Sequence, residues 1–248
     1  MRSAVNSGNR ITTDGLIFYL DVANSKSYIS GSTTTTDLIG ETLGTLRNGV
    51  GYDTDNLGYL VFDGIDDDIL LTPPNDFSFQ WTDTWSIDGW VFPQSTSVGI
   101  YIALSKWDGS IPRGWFLIIL GFSAGLSGSL RFQLRPGPSG YLDVYSNTGV
   151  VFDQWNHVSV TYDGSGTNAG VTFYINGVAT SKPNFTSSLG GGPITSGTII
   201  NSEPVTINSI PDLGSYAVDY LQSMKVYNKE LSSSEVLQNY NALKYRFI

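Results

Sequence analysis

Apolar and polar residues alternate with a period of two over most of this chain, the spacing that puts successive side chains on opposite faces of a strand. Gly15 to Asp21 carries Leu16, Phe18 and Leu20 on one face and Ile17 and Tyr19 on the other. Both faces are apolar, so this strand is predicted to lie within a layered structure. Tyr59 to Asp63 alternates up to Gly64, and Ile69 to Thr72 is a second short run that Pro73 and Pro74 stop, because proline cannot donate to a ladder. Trp85, Ile87, Gly89 and Val91 share one face of a further strand, with Asp88, Trp90 and Phe92 on the other. A carboxylate flanked by two large aromatics on a nominally outer face suits either a ligand-facing sheet or rings covered by a loop.

Val98 to Ser105 and Gly114 to Gly121 predict a strand pair around KWDGSIPRG. Ser129 to Arg135 and Tyr141 to Tyr145 predict another around PGPSG, whose Pro and Gly suit a hairpin turn. Trp155 to Tyr162 alternates cleanly and pairs with Gly170 to Gly177 through the turn DGSGTNAG, and Tyr216 to Tyr227 is the last long strand. Ser232 and Glu235 then fit a capping box ahead of one short helix, with Val236, Leu237, Tyr240 and Leu243 on a single stripe. Val22 to Asp55, rich in Thr, Ser and Gly, is predicted to be a long irregular excursion, and 180–198 a Ser/Gly/Pro loop. About a dozen strands and one terminal helix predict an all-β fold, a two-sheet antiparallel jelly-roll sandwich.

Length alone, 248 residues, fits one large β domain or two small ones. No Pro/Ser linker divides the chain, so a polar N-terminal arm over 1–13 and a single domain over 14–248 are expected. The net charge of −9 with a pI near 4.4 repels phosphate backbones and anionic lipid, which disfavours nucleic acid as a partner. The longest apolar run, Trp115 to Phe122, falls far short of the ~20 residues a bilayer-spanning helix needs and reads as a buried strand, so no membrane insertion is expected. MRSAVNSGNRITT carries no hydrophobic stretch of the secretory type. With no Cys, stability must come from packing, with or without a metal, rather than disulfides.

The acidic turn of Asp66, Asp67 and Asp68 narrows the chemistry. Adjacent carboxylates repel unless solvent, a cation or donors compensate them. Two readings stand: a solvated turn whose Asp side chains cap backbone N–H groups, or a loop that holds Ca2+ or reads a polar ligand. It is not an EF-hand, because the twelfth position from Asp63 is Pro74 where a bidentate Glu is required. Sugars stack on exposed rings while polar groups fix their hydroxyls. Trp107 in KWDG, Trp115, Tyr141, Asp66 and Asp67 are therefore the candidate ligand contacts, since loops crowd the sandwich rim. A Ser-His-Asp triad would have to use His157, the lone histidine, with no cysteine as an alternative nucleophile; a structural or surface histidine is expected. No zinc-ligand cluster and no phosphate-cradling Gly loop is present.

FDGIDDDILL resembles the FDG-x-DD-Y-[IV] segment of laminin G-like domains in the concanavalin A-like lectin and glucanase superfamily. GLIFYLDVANSKSY, TWSIDGWVFP, WNHVSVTYDGSGTNAGVTFYINGVAT and MKVYNKELSSSEVLQNYNAL fit the same pattern in the same order. Asp68 departs from it, standing where the family usually has an aromatic. The resemblance implies a concanavalin A-like sandwich and a structural Ca2+ held by Asp219 of the last long strand, with Asp21 and the Gly64 carbonyl as companions. The glucanases of this fold carry E-x-D-x-E on one strand; none of the four glutamates here, Glu41, Glu203, Glu230 and Glu235, is so spaced. No catalytic residue is therefore assigned and the chain is expected not to be an enzyme. ELSSSEVLQNYNALKYRF resembles the endings of laminin G-like modules in tailed-phage structural proteins. That similarity implies a virion surface protein made in the host cytoplasm, a decoration or adhesion module on a capsid, neck or tail. The implied partners are host-surface glycans, other virion proteins met through the N-terminal arm or an exposed edge, and further copies of the chain. A purely structural decoration protein and a glycoside hydrolase are the alternatives.

Overall fold

The computed structural model describes residues 10–73, 77–95, 100–121, 126–137, 140–181 and 192–247. Two eight-stranded sheets, antiparallel at every pairing, stack face to face. The first runs in the order Val178–Ala179, Val171–Ile175, Asn156–Tyr162, Trp85–Pro93, Val218–Tyr227, Tyr59–Asp63, Gly51–Asp53, with Leu16–Asp21 also paired to Val218–Tyr227. The second runs Leu142–Gly149, Ser129–Pro136, Arg113–Leu120, Ile100–Asp108, Val205–Ile207, Asp68–Thr72, Leu43–Arg47, Thr34–Thr36. Each inner face follows from the period-two pattern: Trp85, Ile87 and Val91 pack inward beside Val158, Val160 and Tyr162, against Trp115, Leu117, Phe132 and Leu134 of the opposite sheet. Rings dominate the centre. Trp85 stacks on Phe79 at 4.6 Å and meets Trp115 at 5.0 Å and Phe132 at 5.2 Å.

The sandwich with one C-terminal helix, Ser233–Leu243, is the fold the alternation predicted. Ser232 and Glu235 form the expected capping box, with Glu235 N donating to Ser232 Oγ and Ser232 N to Glu235 Oε2. The stripe, however, is turned: Val236, Asn239, Ala242 and Leu243 are buried while Leu237 is 44% exposed. Asn239 takes an inward place because its amide bridges Thr12 N and the Tyr227 hydroxyl, a need that hydrophobicity does not register.

The stretch 22–55 is not irregular throughout. It adds the edge strands Thr34–Thr36 and Leu43–Arg47 to the second sheet and Gly51–Asp53 to the first. These strands are three to five residues long and mostly polar or glycine, too short for alternation to show. Asp68 belongs to a strand rather than to the turn: it opposes Arg47 in register, accepts from Arg47 Nε at 2.6 Å and from its terminal nitrogen, and accepts from Ser209 Oγ at 2.6 Å. Ser215–Tyr216 separates from the last long strand and pairs with Ser209–Ile210 instead. Of the predicted arm, residues 10–13 lie against the domain, where Gln238 Nε2 donates to Arg10 O and the Tyr227 hydroxyl to Thr12 O. The rest of the arm, Val98, Pro74 and most of the 180–198 loop fall outside the described residues.

Candidate functional site

The outer face of the first sheet carries the residues that alternate with its core positions. On it Asp88, His157 and Lys225, from three neighbouring strands, meet with no exposed surface. Lys225 Nζ donates to Asp88 Oδ1 at 2.7 Å, and His157 Nε2 lies 2.8 Å from Asp88 Oδ2. Burial alone raises the Asp88 carboxyl; the adjacent His157 and Lys225 reverse this and hold it well below the ordinary carboxylate range. The helix Ser233–Leu243 and residues 11 and 12 roof this end of the face, so His157 is a buried structural histidine, as the sequence led us to expect.

Beyond the roof the same face continues as an aromatic cleft of about 390 Å³, lined by Trp90, Phe92, Gln154, Trp155, Asn176, Tyr240, Lys244 and Phe247. Trp90 is its floor, 3% exposed, stacked with Phe247 at 4.2 Å and Tyr240 at 5.6 Å. Trp155 stands beside Phe247 at 4.8 Å and Phe92 at 5.6 Å. Strand register extends the platform, since Tyr220 opposes Phe92 in the ladder, stacks on it at 5.0 Å and stacks on Tyr59 at 4.8 Å. Phe92, Trp155, Tyr220 and Phe247 are each partly exposed. The polar rim comes from turns and the helix end: Gln154, Asn176, whose Oδ1 accepts from His157 N at 2.9 Å, and Lys244, whose Nζ lies 5.3 Å from the centre of the Tyr240 ring. Among the described residues the buried Trp90 indole N–H has no acceptor. Such a cleft offers ring faces to an apolar face of a ligand and polar groups to its hydroxyls.

The sequence placed its ligand contacts elsewhere, and the structure does not bring them together. Trp115 has no exposed surface and is fixed in the inter-sheet core, so it offers no face to a ligand. Trp107 is 7% exposed, packed on Phe116 at 5.4 Å beneath Ile210. Its edge reaches a smaller cavity of about 140 Å³ with Arg47, Ser105, Glu203 and Asp212. Tyr141 is half-buried below the Arg135 guanidinium, 4.9 Å away. Asp66 is exposed and Asp67 buried on the turn between the two sheets. Alternation did single out Asp88, Trp90 and Phe92 as a face; Trp155, Tyr220 and Phe247 join it only through pairing and tertiary packing.

The calcium set implied by resemblance does not assemble. Asp21 accepts two bonds from the Arg246 guanidinium, at 2.7 and 3.1 Å, and one from the Tyr19 hydroxyl at 2.7 Å. Arg246 thus supplies the charge a cation would bring. In the ladders Asp21 opposes Ser223 while Asp219 opposes Phe62, a displacement of four residues or about 13 Å along one strand. Gly64, beside Val218, is adjacent to Asp219 but not to Asp21.

Two stacked antiparallel sheets with a single terminal helix define a concanavalin A-like lectin fold. Residues 63–237 match the Laminin_G_3 family of the concanavalin A-like lectin/glucanases superfamily, and the chain belongs to that family. Among solved structures it is similar to the binding domain of Paraclostridial Mosquitocidal Protein 1, with 18% identity, a TM-score of 0.64 and coverage of 92% of this chain and 52% of that one. The binding domain of botulinum neurotoxin DC, in complex with rat synaptotagmin II, matches with 18% identity, a TM-score of 0.63 and coverage of 93% and 52%. A botulinum neurotoxin type C structure, described as entering cells through interaction with two ganglioside molecules, matches with 16% identity, a TM-score of 0.63 and coverage of 92% and 51%. The chain spans about half the length of each of these neighbours, and the likeness is one of fold. No curated protein matches it in sequence.

Proposed function

We propose that this chain is a non-catalytic recognition module that binds glycans through the aromatic cleft, carried on a virion surface as an adhesion or decoration element. The observation that carries the reading is the union of Trp90, Phe92, Trp155 and Phe247 with Gln154, Asn176 and Lys244 around one 390 Å³ opening. That volume falls at the lower end of ligand sites, roughly 300–1,000 Å³, and suits one or two sugar rings. The virion setting rests on the resemblance of ELSSSEVLQNYNALKYRF to endings of phage structural modules. The toxin neighbours named above, of which the chain matches about half, include binding domains, one in complex with synaptotagmin II, and a toxin whose cell entry depends on gangliosides, and this is in keeping with a recognition role. A hydrolase is disfavoured because the cavity that gathers the carboxyl residues Glu203 and Asp212 is only about 140 Å³, and the Asp212 carboxylate already accepts from Gly109 N at 2.7 Å.

A glycan array followed by calorimetry on the best hit tests the reading. Binding that Trp155→Ala abolishes, with the far-ultraviolet spectrum unchanged, supports it. Binding untouched by Trp155→Ala removes the cleft, no binding to any glycan with attachment to particles leaves a purely structural decoration role, and release of reducing sugar makes the chain an enzyme.

A further inference from the structure

We propose that Asp63, Asp66 and Asp67 together hold one divalent cation, and that the donor chemistry makes it calcium. These residues form the turn that carries the chain from Tyr59–Asp63 in the first sheet to Asp68–Thr72 in the second. Each offers one carboxylate oxygen, and the three lie within 4.8 Å of one another. Oxygens on one calcium ion bonded at 2.3–2.6 Å stand up to about 4.6–5.2 Å apart, whereas magnesium keeps several waters and is usually held by only one or two carboxylates. Separations within that limit are compatible with one shared calcium ion. Three carboxylates with no nitrogen or sulfur donor are hard ligands, which also selects calcium over zinc.

A second observation is independent of the clustering. Asp67 is 2% exposed, yet among the described residues its Oδ1 has no hydrogen-bond donor, while Oδ2 accepts from Asp63 N at 3.1 Å. A buried carboxylate oxygen without a partner is costly. Arg47, the nearest cation in the ladder, is committed to Asp68. A cation shared with Asp63 and Asp66 would compensate that oxygen. Asp63 and Asp66 are exposed, which leaves room for water to complete the shell. An ion here bridges the point where the chain crosses between sheets, and it uses none of the oxygens that Arg246 occupies on Asp21.

The test is thermal unfolding and calorimetry of the EGTA-treated full chain with calcium chloride or magnesium chloride. Calcium at about 10 mM is expected to raise the melting temperature by roughly 3–8 °C, as binding to the folded state alone dictates for a chain of this size. Asp66→Asn and Asp63→Asn, both at exposed positions, are each expected to weaken calcium binding about tenfold or more, with Asp14→Asn elsewhere on the surface as the control that leaves it intact. An unchanged melting temperature in calcium overturns the proposal. Calcium binding that survives both turn variants also overturns it. Neither result bears on glycan binding in the cleft, which is read separately.

Discussion

Lys225 and Asp88 face each other in register across adjacent strands of the first sheet and join at 2.7 Å, both without exposed surface. Removing one member of a buried pair strands the other, so Lys225→Met is expected to cost about 3–5 kcal/mol in chemical denaturation. The double variant Lys225→Met with Asp88→Leu should recover part of that loss, because it deletes both charges.

The same pair fixes the acid limb of the stability curve. Asp88 is held below its unfolded value, so its contribution is fully present above about pH 4, the unfolded value of an aspartate, and is lost as the pH falls through the lower folded value. Stability measured from pH 5 downward should decline in the parent and decline less steeply in Asp88→Asn.

Recognition and stability should separate cleanly between two tryptophans. Trp155→Ala is expected to weaken glycan binding about tenfold or more, the effect of losing an anchor ring, with a small change in melting. Trp115→Ala should cost about 3–5 kcal/mol of stability through the cavity it leaves, and at temperatures where the variant remains folded its glycan affinity should equal that of the parent. Equilibrium unfolding and titration on both variants check this.

The helix cap gives a smaller, well-bounded effect. Ser232→Ala removes the oxygen that accepts from Glu235 N and should lower stability by about 0.5–2 kcal/mol. Since this helix roofs Asp88 and supplies Tyr240 to the cleft, a measurable drop in glycan affinity is expected to accompany it.

The sandwich was legible because alternation over strands such as Trp85–Pro93 and Asn156–Tyr162 is set by burial of one face, a local property of the chain. Asp88, Trp90 and Phe92 were legible as an outer face for the same reason. What covers them was not, because Tyr240, Phe247 and Tyr220 arrive from the far end of the chain through pairing that period-two spacing does not encode. Trp107 and Trp115 misled in the opposite direction: a tryptophan near a turn looks available, but the inward phase of Arg113–Leu120 sends Trp115 to the centre. Asp21 carried a family expectation of metal, and only the position of Arg246, 225 residues away in sequence, shows that its charge is already met.

Phe247 forms one wall of the cleft while contributing nothing to the core between the sheets. Phe247→Ala would thus strip away a binding surface and leave the melting profile nearly intact. The protein's grip on its target and its ability to stay folded would part company at a single side chain.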